Sequence, residues 1–373
     1  MSEPRLNPFL LEVPLYIAGR SIDEVKEELG LEEVIKLASN ESPLGPSPLA
    51  VQAAQATLAQ AHLYPGICER DLRRKLVAVL DAGIEIDNLV TGNGGSDVLR
   101  MITQAFVFDG GNTIMSAVTF PLYRILTTAF GGQPRIVDAD PDYGHHLDGM
   151  LQQIDDETRI IFLCSPNNPT GQILTQAAID DFLERVPGHV VVVFDESYNS
   201  FVSDPTHADV LNYVQSNTNV ISVRSFSKSG GLANLRMGYM VGPQVLADYV
   251  RRAQLPFHSG DIALAAAAAS LDDKDYHQRH LQMVREGSKF LFERLSAMGL
   301  TCLAGQANFI TIVDPPIEAP DLVAALLSRG IVVRGMAPFG LPHAVRVTVG
   351  SPEDNQRFIA ALGEVIENKR RTV

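Results

Sequence analysis

The sequence of 373 residues contains 46% hydrophobic and 20% charged residues, a composition typical of a globular protein and not of a disordered one. The length favours a large domain with a smaller companion. The formal net charge of -14 is spread along the chain, so we expect neither nucleic acid nor a membrane surface as a partner. Three cysteines without a C-x-x-C pair, and no signal-peptide or membrane-spanning pattern, predict a cytoplasmic protein.

Short apolar runs alternate with helical patterns in the first part of the chain. The runs are NLV near residue 88, TIM near 113, RIV near 135, RIIFLC at 159–164, VVVVF at 190–194, NVISV at 219–223 and MGYMVG at 237–242. Because apolar residues occupy consecutive positions, we expect these strands to be buried on both faces. Helical patterns such as SDVLRMITQAFVF, with Ser96 and Asp97 at the cap positions, and QAAIDDFLERV lie between the runs. The alternation predicts an α/β fold with a mostly parallel seven-stranded sheet and helices on both faces.

The pattern changes after about residue 258. An alanine-rich stretch, IALAAAAAS, is followed by a long charged helix from Asp275 to Met298, two βα-like units that end in VRVTVG, and a last helix. We therefore expect a large ligand-binding domain over residues 36–258, and a smaller α+β domain built from residues 1–35 and 259–373. His277 and His280 have helical i, i+3 spacing, but no third ligand completes a metal set, so we expect no metal.

Ligands of open α/β sheets bind beyond the carboxyl ends of the strands, so the residues that follow each run are the informative ones. The first is a glycine-rich turn, TGNGGSD, whose N–H groups at Gly95 and Ser96 open a helix and favour a phosphate. It lacks the third glycine of a dinucleotide fingerprint, where Asp97 stands. Such a turn alone is also a common connection.

Three further turns carry polar or charged side chains. SPNNPTG presents the Asn168 amide from a rigid turn. DESYNSF places Asp195 at the end of the most apolar strand, where a carboxylate needs a cation or a donor. SFSKSGGLANLR places Lys228 after a buried strand and near Arg236, which favours a lowered lysine pKa and a nucleophilic neutral amine.

Together the four turns match one ligand, pyridoxal phosphate. Its aldehyde would meet Lys228, its ring nitrogen Asp195, and its phenolic oxygen Asn168 and Tyr198. Its phosphate would take the remaining donors, which are Gly95, Ser96, Ser225, Ser227 and Arg236.

Six motifs resemble those of the aspartate-aminotransferase-like superfamily of pyridoxal-phosphate-dependent aminotransferases. They are KLASNESPLGPSP, TGNGGSDVL, SPNNPTG, VVFDESY, SFSKSGGLANLRMGY and VRVTVGSPEDNQRFIAAL, and the resemblance covers nearly the whole chain. It implies the fold type I architecture and a homodimer with shared active sites. Among the members of the superfamily, the motifs look most like those of enzymes that act on histidinol phosphate.

The resemblance also implies roles for individual residues. Lys228 would join the cofactor and shuttle a proton, with Asp195 and Tyr198 as the other catalytic groups. Phe120 would stack on the cofactor ring, and Tyr64 in YPG would reach the phosphate of the neighbouring subunit. The implied substrate contacts are Arg346, Asn40, Tyr16 and Arg334.

Three positions depart from the family pattern. The family motif DEAYxEF reads DESYNSF in this chain, so that Ser200 stands where glutamate is frequent. Gly230 replaces an aromatic residue, and the stacking residue is Phe120 instead of the commoner tyrosine. These changes leave the cofactor contacts intact but concern the substrates.

The expected reaction is amino transfer from histidinol phosphate to 2-oxoglutarate, for histidine biosynthesis. The alternatives on the same fold are an aromatic amino-acid aminotransferase and a decarboxylase of a phosphorylated amino acid. A cofactor-binding regulator and a nicotinamide dehydrogenase are disfavoured, by the complete Lys-Asp-Arg set and by the missing third glycine respectively.

Overall fold

The computed structural model describes residues 6–14, 21–66, 68–303 and 305–372. The strands are β1 (Ile35–Lys36), β2 (Leu89–Gly92), β3 (Asn112–Ser116), β4 (Gln133–Val137), β5 (Thr158–Cys164), β6 (Val191–Asp195), β7 (Val220–Ser225), β8 (Gly238–Val241), β9 (Thr301–Leu303), β10 (Phe309–Val313), β11 (Ile331–Val332), β12 (Arg334–Gly335) and β13 (Val345–Thr348).

The helices are α1 (Pro8–Glu12), α2 (Ile22–Leu29), α3 (Pro48–Leu58), α4 (Cys68–Leu80), α5 (Gly95–Phe106), α6 (Leu122–Ala129), α7 (Leu147–Gln152), α8 (Gln176–Arg185), α9 (Leu211–Ser216), α10 (Gln244–Arg251), α11 (Asp261–Ser270), α12 (Lys274–Ala297), α13 (Ala319–Leu327) and α14 (Pro352–Thr372). None of them, over the described residues, has the length and apolar character that crossing a membrane requires.

The large sheet contains the seven predicted strands in the order β2-β8-β7-β6-β5-β3-β4. Strand β8 runs antiparallel to both of its neighbours, and the other six strands are parallel to one another. This arrangement confirms the predicted α/β fold with a mostly parallel sheet.

Strand β6 lies at the centre of this sheet and is buried on both faces. Val192 and Phe194 contribute to the hydrophobic core on one face, whereas Val191 and Val193 contribute to the core on the other. Since successive side chains of a strand point to opposite faces, a run of apolar residues is what such a position requires. The expectation of two buried faces is wrong for β4, because that strand forms the sheet edge and leaves Ile136 exposed.

A smaller antiparallel sheet has the order β12-β13-β10-β9 and is covered by α12, α13 and α14 around its own core. The short strand β1 pairs in parallel with β11, which ties residues near the N-terminus to this region. The alanine-rich run forms α11, which packs against α3 and belongs to the core of the large sheet. The division at residues 36–258 stays a prediction.

Helix α5 begins one residue earlier than its sequence pattern predicted. Its N-cap is Gly94, which has a φ of 85° and makes no side-chain cap, so placing Ser96 and Asp97 at the cap positions was wrong. The Asp97 carboxylate instead accepts a hydrogen bond from the backbone N–H of Asn93, at 3.0 Å. The first N–H groups of α5 are therefore not covered by a capping side chain, and a ligand can bind them.

Candidate active site

A cavity of about 280 Å³ opens beyond the carboxyl ends of β5, β6 and β7. Residues from the smaller sheet close its other side. The predicted site residues that line it are Asn40, Gly95, Ser96, Phe120, Asn168, Asp195, Tyr198, Ser225, Ser227, Lys228, Arg236, Arg334 and Arg346. The structure thus brings together side chains from distant parts of the sequence, as the strand-end argument predicted.

Lys228 lies just after β7 and projects its amine into the cavity. Its Nζ donates a hydrogen bond to the backbone carbonyl of Ser39, at 2.8 Å. Burial, and next the charge of Arg346, lower the pKa of Lys228 to about 8. The amine is therefore partly neutral near physiological pH and can act as a nucleophile or a base.

Asp195 is the last residue of β6, and its carboxylate is buried at the bottom of the cavity. The hydroxyl of Tyr123 donates to one carboxylate oxygen at 2.8 Å, and the hydroxyl of Ser197 donates to the other at 2.6 Å. Burial raises the pKa of Asp195, and these two hydrogen bonds act in the opposite direction. The carboxylate can meet a cationic or N–H group of a ligand.

Several hydrogen-bond donors lie close together where α5 begins. A Cβ added to Gly94 would lie 2.4 Å from Nη2 of Arg236, so the guanidinium packs directly on the glycine backbone. Arg236 has a φ of 53° and donates to the Ser227 hydroxyl at 3.3 Å. A Cβ at Gly238 would lie 2.5 Å from the backbone nitrogen of Gly95, so β8 also needs a glycine there. Close packing of backbone and guanidinium donors suits a phosphate.

Tyr198 is oriented by Asn40, whose Nδ2 donates to the tyrosine oxygen at 2.8 Å. Because that oxygen already accepts a hydrogen bond, the phenolic O–H can donate to a ligand. Asn40 adopts a φ of 55°, a left-handed conformation that asparagine tolerates better than most residues. Burial raises the pKa of Tyr198 to about 12, so the phenol keeps its proton.

Arg346 is buried between the rings of Phe309 and Phe339, at 5.1 and 5.5 Å from their centroids. It donates to the side-chain oxygen of Asn168, and to the carbonyl of Ala38 at 2.9 Å. Since the oxygen of Asn168 faces Arg346, its NH₂ group points elsewhere and is available as a donor.

Arg334 lies directly opposite Arg346 on the neighbouring antiparallel strand. Opposed residues of an antiparallel pair project from the same face of the sheet, and both of these side chains line the cavity. Both guanidiniums therefore face the same space, and an anionic ligand could bind between or beside them.

One predicted site residue does not line the cavity, and another lies outside the described residues. Over the described part of the chain, Tyr64 is absent from the cavity lining; it is 78% exposed and stacks on Phe257 with ring centroids 4.5 Å apart. Tyr16 lies outside the described residues.

The sequence interpretation missed several residues that contact the site. These are Ser39, Glu41, Tyr123, Ser197 and Phe339. Ser197 could have been found, since it departs from the alanine of the DEAY pattern. Tyr123 gives a weaker signal, because it lies on the buried side of α6 with Leu126 and Thr127, where an aromatic core residue is ordinary.

Comparison with known proteins shows the family to which the chain is similar. The family model for aminotransferase class I and II matches residues 32–362. Histidinol-phosphate aminotransferase 2 of Pseudomonas aeruginosa is 38% identical over 361 residues, which is 96% of this chain and 97% of that protein. Histidinol-phosphate aminotransferase of Anoxybacillus flavithermus is 39% identical and covers 97% of this chain and 96% of its own length.

Solved structures show the same fold. The histidinol-phosphate aminotransferase of Sinorhizobium meliloti, in complex with pyridoxal-5'-phosphate, aligns with a TM-score of 0.89 and 25% identity, over 98% of this chain and 99% of that one. An aspartate aminotransferase double mutant of Thermus thermophilus aligns with a TM-score of 0.84 and 20% identity, over 97% of this chain and 100% of that one.

The lowered pKa of Lys228 can be measured on cofactor-free protein with an amine-reactive reagent. Only the neutral amine reacts, so labelling of Lys228 should rise with pH around a midpoint near 8, well below the ~10.4 of an ordinary lysine. Arg346→Gln should raise the midpoint, because a cation that disfavours the charged amine is removed. Mass spectrometry of the labelled peptides gives the profile, with exposed Lys289 as the reagent control. A Lys228 midpoint of ~10 or above would contradict the geometry.

Proposed function

The chain belongs to the aminotransferase class I and II family, and on that premise we propose that it transfers the amino group of histidinol phosphate to 2-oxoglutarate. The observation that carries the substrate assignment is the opposed pair Arg334 and Arg346 at the cavity. The names of the curated relatives support the same assignment.

The arginine pair suits both substrates. Histidinol phosphate presents a phosphate and 2-oxoglutarate presents two carboxylates, so each has an anionic end away from the reacting carbon. Arg346 is already oriented by Asn168 and Ala38, and Arg334 stands beside it on the next strand. A planar guanidinium binds either anion through two parallel hydrogen bonds.

The donor set fits pyridoxal phosphate as the cofactor. The start of α5 with Ser225, Ser227 and Arg236 would hold the phosphate. Asp195 would meet the ring nitrogen, and Phe120 would lie against the ring. The guanidinium of Arg236 lies so close to Gly94 that a side chain at that glycine would displace it from the proposed phosphate site. When bound, the cofactor supplies an aldehyde that condenses with amines and a ring that withdraws electrons from the substrate carbon.

Three residues of the chain would act on the substrate or hold the ring. Lys228, with its lowered pKa, would be the base that takes the proton from the substrate carbon and gives it to the adjoining carbon of the cofactor. Tyr198 and Asn168 would donate to the phenolic oxygen of the cofactor and orient its ring. The enclosure of the cavity between the two sheets limits water near the base and strengthens these hydrogen bonds.

A second candidate function is amino transfer from an aromatic amino acid. The rings of Phe120, Tyr198 and Phe339 line the cavity and could pack on an aromatic side chain. The arginine pair favours the phosphorylated donor, because a phosphate dianion can bind two guanidiniums, whereas an aromatic amino acid offers a single carboxylate charge.

A panel of amino donors tests the assignment. Purified protein loaded with pyridoxal phosphate should form glutamate from 2-oxoglutarate fastest with histidinol phosphate, and slower with phenylalanine or tyrosine. Lys228→Ala should retain the fold and the cofactor but lose turnover, because the base is gone. Fastest turnover with an aromatic amino acid would favour the second candidate, and release of carbon dioxide would identify a decarboxylase.

The contribution of Arg334 can be isolated by comparing histidinol phosphate with unphosphorylated histidinol. If Arg334 binds the phosphate, Arg334→Met should reduce kcat/KM for histidinol phosphate by at least ~10-fold, the effect of one lost charge-assisted bond. The value for histidinol should change little. Exposed Arg279 provides a matched control, Arg279→Met. Equal losses with both donors would assign Arg334 a structural role.

We also propose that the protein is a cytoplasmic homodimer and that Tyr64 completes the site of the other subunit. The Tyr64 patch consists of exposed apolar side chains, which are Leu63, Tyr64, Leu255 and Phe257. Tyr64 stacks on Phe257, and exposed apolar side chains of this kind suit contact with a second copy of the chain. Tyr64 would then offer its phenol to the cofactor phosphate across the interface.

Subunit mixing tests the shared site. Tyr64→Ala and Lys228→Ala homodimers should each be impaired at both sites. In a mixed dimer the two lesions fall in one site, so activity should recover to about half of wild type per mixed dimer. Subunit exchange is confirmed with differently tagged chains. If Tyr64 serves its own subunit, every site of the mixed dimer carries one lesion, and activity will stay at the level of the parents.

A further inference from the structure

Both oxygens of the Asp195 carboxylate are held by hydroxyl donors of the chain itself. Ser197 reaches Oδ1 twice, with its hydroxyl at 2.6 Å and its backbone N–H at 3.1 Å. Tyr123 reaches Oδ2 with its hydroxyl at 2.8 Å. Ser197 and Tyr123, which we call the hydroxyl clamp, approach from different elements, the turn after β6 and helix α6.

The hydroxyl clamp is rigid on the Tyr123 side. Tyr123 is fully buried, and its ring stacks on Phe162 with a centroid distance of 4.8 Å and an angle of 7°. Burial, and next the charge of Asp195, raise the pKa of Tyr123 well above its ordinary value, so the phenol remains a donor. On the other side, Ser197 stands where the family pattern DEAY has alanine, which could not donate from its side chain.

The surroundings otherwise oppose a charge on Asp195. Burial is the largest influence and raises its pKa, and the neighbouring Glu196 acts in the same direction. The Cys164 thiol lies close by, and burial raises its pKa far above the ordinary range, so it stays neutral. In a site of this kind, a proton shared with a ring nitrogen can lie on either partner, and hydrogen bonds to the carboxylate favour the ionised form.

We propose that Ser197 and Tyr123 are positioning residues that keep Asp195 ionised, so that the shared proton lies on the ring nitrogen of pyridoxal phosphate. This inference rests on the proposed function only in so far as the cofactor binds. A protonated ring nitrogen withdraws electrons better than a neutral one. Through Asp195, the hydroxyl clamp would therefore increase the electron-withdrawing power of the cofactor ring.

The position of the proton can be read directly by nuclear magnetic resonance. Cofactor-free protein is reloaded with pyridoxal phosphate that carries ¹⁵N in its ring, and the ¹⁵N chemical shift is recorded. In the wild type we expect the shift of a protonated ring. Ser197→Ala and Tyr123→Phe should each move it toward the shift of a neutral pyridine. Each lost hydrogen bond should lower the ratio of protonated to neutral ring nitrogen by roughly tenfold.

Matched variants separate this role from a structural one. Ser200→Ala removes another hydroxyl from the same turn, one that accepts a hydrogen bond from Ser229 at 3.0 Å. This variant should leave the ¹⁵N shift unchanged. Ser197→Thr keeps the hydroxyl and should restore the wild-type shift. Circular dichroism and cofactor affinity of each variant show that fold and binding persist.

Two results would overturn the proposal. One is a neutral ring nitrogen in the wild type, and the other is a protonated shift that Ser197→Ala leaves unchanged. If Tyr123→Phe does not fold, Ser197→Ala decides the question alone. Ser197→Ala should fold, because it removes a single oxygen from a half-buried side chain. Failure of the wild-type protein to bind pyridoxal phosphate would refute the proposed function instead.

Discussion

The site depends on polar groups that are buried where the parallel strands of the large sheet end. Asp195 and Lys228 are held away from water, and each needs a partner that compensates for the lost hydration. Tyr123 and Ser197 donate to Asp195, and the carbonyl of Ser39 accepts from Lys228. Nearby, Arg346 on β13 of the smaller sheet bonds to Asn168, and Asn40, which follows β1, bonds to Tyr198. The same contacts that satisfy the buried polar groups therefore join the two sheets, and the cavity lies between them.

The positions of the site residues at the strand ends follow from short stretches of sequence and could therefore be predicted. The runs RIIFLC and VVVVF indicate strands buried on both faces, and parallel strands bring their carboxyl ends to one edge. Asn168 and Asp195, which follow those runs, and Lys228, which follows NVISV, must then meet. Resemblance to a known family supplied what the strand argument lacks, since residues such as Asn40 and Arg346 come from outside the large sheet.

The remainder depends on contacts that no local pattern records. The pairing of Arg334 with Arg346 is a matter of strand register, which forms only when β12 and β13 meet. The exposure of Ile136 follows from the edge position of β4, and the close packing of Gly94 on Arg236 joins residues that lie far apart in the sequence. The proposed role of Tyr64 requires a second chain, so neither the sequence nor one protomer can establish it.

The contact between Arg346 and Asn168 has a consequence for the kinetics of binding. Since the guanidinium is already held by Asn168 and the carbonyl of Ala38, little side-chain entropy remains to be lost when an anion arrives. A preorganised group of this kind gains affinity mainly through a slower dissociation rate, because the encounter rate depends on diffusion and long-range charge. Arg346 would thus lengthen the residence time of each substrate and leave the speed of its capture almost unchanged.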